Sequence, residues 1–338
     1  MSMLVPDYWA EGRAQARAPQ NAGGQQVTVR RFGWSMHSAL DAQKMADERA
    51  QQALARALAG EAVQRRERKL PYGAGDGLPI REEVVSRHGD EVITRNSYGA
   101  LCLNTPQVLF ADVDTDPFAP PPGGKGWLAF VLGALVGALA LWALRMPLSA
   151  VLWLGVMFAS GMLAAGLYSR ARWTRWERSR PQRMAAARTQ ALAGVDAFVA
   201  ARPGWGVRVY DTPAGLRLLA THRTFAPDDP EVQAFFSAAG ADPHYVALCR
   251  VQQCFRARLT GKPWRMGLDG RPGAWPAALA QQAARNDWLR RYDAAAAQFA
   301  ACRLSHTLGH TLVALGVAPV IDLHDQHTRA ERTDLPLA

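Results

Sequence analysis

Several signatures that would assign chemistry at sight are missing from this sequence. It has no glycine-rich phosphate loop ending in Gly-Lys-Ser/Thr, no dinucleotide-binding glycine fingerprint, no serine nucleophile elbow and no HExxH zinc helix. Cysteine is sparse: Cys102, Cys249, Cys254 and Cys302 form no CxxC pair and no dense framework. That excludes a small disulfide-stapled scaffold and points to reduced, partly buried thiols. Lysine is scarce too, and arginine supplies nearly all of the positive charge behind a net charge of +10 and a pI near 9.9. Alanine, arginine, glycine and proline are all abundant, a bias typical of a GC-rich genome, so part of this charge reflects codon usage. An anionic membrane surface or a nucleic acid remains the class of partner such a charge favours. The first residues, MSMLVPDYWAEGRAQ, lack a charged stretch followed by an apolar run, so no cleavable signal peptide is expected.

What the chain does contain is two long apolar runs close together. Residues 127–144 read WLAFVLGALVGALALWAL and carry no charged side chain; residues 148–168 read LSAVLWLGVMFASGMLAAGLY, with two serines. A bilayer core ~30 Å thick needs ~20 helical residues. Both runs qualify, so the sequence predicts two membrane-spanning helices over 126–145 and 148–168. Arg145-Met146-Pro147 is too short a link for anything but an antiparallel hairpin, and Pro147 suits a helix start. The turn carries one cation, Arg145, whereas the stretch 169–183 carries Arg170, Arg172, Arg175, Arg178, Arg180 and Arg183 against Glu177. The positive-inside rule therefore puts both ends of the hairpin in the cytoplasm, as expected of a bacterial inner-membrane protein. Trp127, Trp173 and Trp176, with Arg170, Arg172 and Arg175, are expected at the lipid interface. A basic stretch of this kind also suits lipid-headgroup or nucleic-acid binding. Gly133, Gly137 and Ala140, then Gly155, Ala159, Gly161 and Ala165, stripe the two helices with small residues. Such faces pack a hairpin internally or join two copies as a homodimer. Neither helix holds an ionisable residue, which argues against a transport pathway.

Two polar arms flank the hairpin. Residues 1–25 look loose, and 26–122 read as a strand (27–35), a helix from Ser38 to Leu58, and strand-like pieces around a Gly89-Asp90 turn, ending in the apolar-then-acidic VLFADVD at 108–114. PYGAGDGLP (71–79) reads as turns, and DTDPFAPPPGGKG as a Pro/Gly linker. The second arm, 184–328, begins with a helix. Strands GVRVYDT (206–212) and LRLLATH (216–222) follow, then helices after Asp229 and Asp242 and a strand with its loop in FRARLTGKPW. A long Ala-rich helix covers 276–300, VAPVIDLHD (317–325) reads as a strand or loop, and 329–338 is a tail. Neither arm has enough strands for a comfortable sheet alone, so an α+β domain built jointly, with the hairpin inserted, is favoured over two independent modules.

Three groups of residues carry candidate chemistry. Asp112 and Asp114 alternate on a strand, so both carboxylates share a face, as a Mg²⁺ or Mn²⁺ site for phosphoryl chemistry requires. They also suit the simpler role of ending a strand. Cys302, His306 and His310 would share a face if helical, with His324 and His327 beyond, a donor set that zinc favours. Arg256, Arg258, Lys262 and Arg265, with Trp264, form a basic segment able to hold phosphate or a nucleic-acid strand.

In outline FADVD, followed later by GVRVYDTPAGLRLLATH, resembles the catalytic palm of archaeo-eukaryotic-type primases and primase-polymerases. The resemblance covers 108–114 and 205–222 only. It implies Asp112 and Asp114 as metal ligands, His222 as a catalytic histidine, Asp322 as a third acid, and nucleotides or nucleic acid as partners. Ala220-Thr221-His222 lies seven residues past Gly215, further than that family places its histidine, and a membrane hairpin between the motifs is foreign to it. The reading favoured overall is a two-pass membrane protein whose cytoplasmic α+β domain is a binding or accessory module. The alternative is a membrane-tethered, metal-dependent enzyme acting on nucleotides or phosphoesters.

Overall fold

The computed structural model describes residues 3–17, 25–67, 79–115, 123–147 and 149–338. The expected turns at 71–79 and most of the Pro/Gly linker lie outside the described residues. The chain divides into two units, one made of residues 1–114 and 190–338, the other of 115–189.

The larger unit opens with β1 (Tyr8–Arg17) and β2 (Gln26–Ser35), an antiparallel pair in full register from Tyr8↔Ser35 to Arg17↔Gln26. Strand β1 corrects the expectation that residues 1–25 are loose: its apolar residues are mostly alanine, a weak strand former, so the pairing with β2 decides its conformation. Helix α1 (Ala39–Leu58) is capped by Ser38, whose Oγ accepts from the Asp41 N–H at 3.1 Å. Its buried face is Ala42, Ala46, Ala50 and Ala53. Opposite lie Gly12 and Gly33, where an added Cβ would stand 2.3 Å from backbone atoms of Ala46 and Ala42. Alanine facing glycine lets this helix lie almost backbone-to-backbone on its hairpin.

Two four-stranded antiparallel sheets make the rest of this unit. The first orders β3 (Glu83–His88), β4 (Glu91–Arg95), β5 (Leu101–Thr105) and β9 (Phe255–Arg258). The second orders β10 (Arg303–Gly309), β7 (Gly206–Thr212), β8 (Gly215–Ala220) and β6 (Phe110–Asp114). Each sheet mixes strands from before and after the apolar runs, through the β5–β9 and β6–β8 pairings. The turn between β3 and β4 is built on Gly89, whose φ of 64° suits glycine. Strands β7 and β8 are apolar on both faces because both faces are covered. Their core includes Val207, Val209, Leu216 and Leu218 with Val195 and Phe198 of α4 (Arg180–Ala200). Val232 and Phe235 of α5 (Pro230–Ala239) and Val320 and Ile321 of α8 (Ala318–Thr328) join the same core. Fully burying one such side chain stabilises by roughly 1.5–3 kcal/mol. Asp229 caps α5 and Asp242 caps α6 (Pro243–Gln252), each followed by proline in the first turn. Helix α7 (Leu279–Ala296) stacks Trp288 on Tyr292, with ring centroids 5.4 Å apart, beside Ala100. All four cysteines are buried free thiols.

Two further expectations are corrected here. Residues 317–325, read as strand or loop, lie almost entirely in α8, which spans Ala318–Thr328: Pro319 sits in its first turn and the buried positions Val320, Ile321, His324 and Thr328 follow helical spacing. The helical face that Cys302, His306 and His310 would share does not form: residues 303–309 make edge strand β10, with Gly309 at a φ of 69° closing it. Antiparallel pairing with β7 overrides the helical spacing of those three residues.

The smaller unit contains α2 (Gly126–Ala143) and α3 (Ala150–Arg178), both long and apolar enough to cross a membrane. Ser149 caps α3, and its helix runs on through the basic stretch to Arg178. Glycines make the helix contact: an added Cβ on Gly133 would lie 2.6 Å from the Ser160 carbonyl, and one on Gly137 would lie 2.2 Å from Ser160 Oγ. Gly161 fits against Phe130 in the same way, whereas Gly155 and Gly166 face open space. Of the residues expected at a lipid interface, Trp127 and Trp173 are exposed, and the Trp176 ring centroid lies 3.4 Å from the Arg183 guanidinium.

Candidate functional site

A cleft of about 260 Å³ lies where β6 and β8 of one sheet meet β9 of the other, with the start of α6 alongside. Alternation on β6 turns Asp112 and Asp114 the same way, and both line it. From β8 comes Arg217, from β9 Arg256 and Arg258, from the following loop Lys262, and from α6 Asp242, His244 and Tyr245. Tyr98 adds an aromatic wall.

The floor is an ion pair. Arg217 is almost completely buried and grips Asp112 with two parallel bonds, Nε–Oδ1 at 2.8 Å and Nη2–Oδ2 at 3.1 Å. Register explains it, since Asp112 stands directly opposite Arg217 in the β6–β8 ladder. Burial disfavours the guanidinium charge, but Asp112 more than compensates and the pKa of Arg217 is raised. The third nitrogen, Nη1, donates to the Arg258 carbonyl at 2.7 Å and lies 3.3 Å from His324 Nε2. His324, wholly buried, pairs through Nδ1 with Asp325 at 2.7 Å, and Asp325 accepts from Arg208 at 2.8 Å. A polar chain thus runs from the cleft floor through the sheet.

The other walls are fixed just as firmly. Tyr245 Oη donates to the Phe110 carbonyl at 2.9 Å and accepts from the Arg256 N–H at 3.2 Å, tying α6 to both sheets. The Asp242 N–H donates to the Asp112 carbonyl at 3.3 Å, and the Asp242 side chain accepts from the His244 N–H at 2.9 Å. Arg256 reaches back to the buried Glu82. Tyr292 of α7 holds the loop ahead of Lys262, through the Gly261 carbonyl at 2.6 Å and Thr260 Oγ1 at 2.8 Å. The Lys262 ammonium has no hydrogen-bond or ion-pair partner among the described residues; it stands 5.5 Å from the Trp264 ring, while the Lys262 carbonyl accepts from the Arg265 N–H at 2.9 Å. Burial, then the nearby Arg258 and Arg265, lower the Lys262 pKa, against the pull of Asp114 and Asp112.

The residues singled out in the sequence therefore divide. Asp112, Asp114, Arg256, Arg258 and Lys262 share the cleft, while Arg265 sits in the short 3-10 turn Pro263–Arg265 outside its lining. His222 does not join them. Asp114 pairs with Gly215 at one end of β8, and His222 lies past the other end, roughly 20 Å away along an extended chain. There its Nδ1 accepts the Gly206 N–H at 3.3 Å and its ring packs 4.4 Å from Trp205, and burial lowers its pKa. Asp322 is exposed on α8 and lines no part of the cleft. The four-residue constellation implied by the primase resemblance is thus not assembled: Asp112 and Asp114 stand on β6, His222 lies past the far end of β8, and Asp322 is on α8. The C-terminal set gathers only in part: the buried Cys302 Sγ lies 3.8 Å from His324 Nε2, whereas His306 is exposed on β10. Among the described residues, no group of three or more His, Cys, Asp or Glu side chains is placed to hold a metal ion.

Sequence reasoning missed Arg217, Asp242 and Tyr245. Arg217 had a signal, a lone cation inside the apolar run Leu216–Ala220 that only a buried acid would tolerate. Comparison of the chain with protein-family models, with curated proteins and with solved structures finds no match.

Proposed function

We propose that this chain is a two-pass protein of a bacterial inner membrane, with both polar arms cytoplasmic. Its mixed α/β unit acts as a binding module for a small polar ligand. The observation that carries the module reading is convergence: charged side chains from β6, β8, β9, the loop after β9 and α6 line one cleft. At about 260 Å³ that cleft is at the small end for ligand sites. The membrane reading is supported by two helices of spanning length and by the arginines between residues 170 and 183, which follow the second apolar run.

Native mass spectrometry of the detergent-solubilised full chain tests the module. The wild type is expected to carry a small molecule that the Arg258→Ala/Lys262→Ala variant has lost. Identical spectra from two equally folded proteins would remove the cleft from consideration.

One observation favours a second reading: Asp112 and Asp114 stand side by side in the cleft, as a metal-dependent enzyme acting on nucleotides or phosphoesters requires. That enzyme has to exchange Arg217 for Mg²⁺ or Mn²⁺ at Asp112. Thermal stabilisation by Mn²⁺ with a nucleotide, abolished in Asp114→Asn, supports it; equal melting of both proteins under all conditions excludes it.

A further inference from the structure

The cleft is electrically divided, and the division names the class of its ligand. Two of its cations are already committed, Arg217 to Asp112 and Arg256 to Glu82. The cations left on the β9 side are Arg258 and Lys262. Among the described residues Arg258 donates to the Thr260 carbonyl at 3.0 Å and, more distantly, to a terminal oxygen of Ala338 at 3.4 Å, and the Lys262 ammonium meets no acceptor. On the β6 and α6 side stand Asp114, at the exposed end of its strand, and Asp242, whose Oδ1 caps α6. A purely anionic ligand would be drawn to Arg258 and Lys262 but repelled by two carboxylates lining the same cleft of about 260 Å³. A purely cationic one would meet the reverse. Asp114 is exposed and Asp242, Arg258 and Lys262 are half-buried, so solvent screens these charges in part, yet at close range each mismatch still carries a penalty.

We infer that the ligand is a small zwitterion, with an oxyanion, phosphate or carboxylate, against Arg258 and Lys262 and an ammonium against Asp114 and Asp242. The inference rests on the reading of this cleft as a ligand site. Arg258 and Lys262 are presented two ways: Arg258 by the β5–β9 ladder opposite Cys102, and Lys262 by a loop that Tyr292 clamps. Gly261 enables the second. A Cβ there would meet Met266 Sδ at 2.7 Å and Ala338 Cβ at 2.8 Å, so the chain passes closely enough to turn Lys262 inward. The same chemistry occurs in a free amino acid, in free phosphoethanolamine and in an ethanolamine lipid headgroup.

Hydrogen exchange of the full chain in detergent, read over residues 110–115, 242–249 and 255–266, distinguishes these cases. The probes are phosphoethanolamine, glycine, inorganic phosphate and ethanolamine, beside a library of neutral fragments. Nanodiscs with phosphatidylethanolamine are compared with phosphatidylcholine nanodiscs. Protection by a zwitterion at concentrations where phosphate and ethanolamine, separately, give none is the expected result. Lys262→Ala and Asp114→Asn, each still folded, should each weaken it about tenfold or more, the scale of one lost charge contact. Protection by the ethanolamine lipid but not by the free zwitterions identifies the headgroup as the source, and the converse a free metabolite. Equal protection by phosphate alone, or by a neutral fragment with none from any zwitterion, overturns the inference while leaving the cleft a ligand site. No protection by any probe or fragment overturns both.

Discussion

Arg217 is the residue on which the cleft depends, and its stability consequences are asymmetric. Its guanidinium is buried to 2% exposure, whereas the Asp112 side chain keeps 39%. Removing the acid strands a buried cation; removing the base leaves a carboxylate that water still reaches. Asp112→Ala is therefore expected to destabilise the protein by about 3 kcal/mol, and Arg217→Met by less, in chemical denaturation followed by tryptophan fluorescence. An equal loss from both would mean that the pair, not the stranded charge, sets the energy. The alternation of Asp112 and Asp114 was legible in the sequence because a strand has a period of two. Their partner was not, because the β6–β8 pairing that brings Arg217 opposite Asp112 spans 105 residues. His222 shows the converse: its letters matched a motif, but the length of the strand carried it away from the acids.

At the scale of elements, close approach through small residues recurs. Ala42 and Ala46 of α1 meet Gly12 and Gly33 of the β-hairpin, and Gly133, Gly137 and Gly161 join α2 to α3. Gly33→Ala places a methyl against backbone that cannot yield, so α1 must lift from its hairpin. A loss of about 1–3 kcal/mol is expected, with hydrogen exchange accelerated over 39–58 and unchanged in the cleft segments. Unchanged exchange throughout would show that the helix shifts freely. Helix α1, with its Ser38 cap and alanine-rich composition, was legible from local signals. So were both apolar helices, whose length and composition admit few other forms. Strand β10 and helix α8 were not. Their conformations follow from partners distant in the chain, β7 for the strand and the core around Phe110 and Tyr210 for the helix, and local propensity is a weak guide where such packing decides. The glycines that close the α2–α3 contact also bear on the homodimer expected from the sequence: Gly133, Gly137 and Gly161 are occupied within the hairpin, so any contact with a second copy would have to use Gly155 and Gly166.

For the whole molecule the decisive expectation is orientation. Alkaline phosphatase inserted between α2 and α3 is expected to be active, and green fluorescent protein fused beyond residue 338 to fluoresce, as the arginines between residues 170 and 183 require. The opposite pattern would reverse the topology; a silent phosphatase with a fluorescent fusion would mean that the helices do not cross. The shared sheets have a consequence in time. Strand β6 leaves the ribosome long before β8, its partner 105 residues later, and the apolar hairpin emerges in the interval. At about 5–20 residues per second that is a wait of roughly 5–20 s. Throughout it, the edges of β5 and β6 that β9 and β8 will cover stay open to pairing with other chains. Such a chain is at its most vulnerable half-made, and its biogenesis calls for a chaperone or a bilayer that keeps the first half waiting until the second arrives.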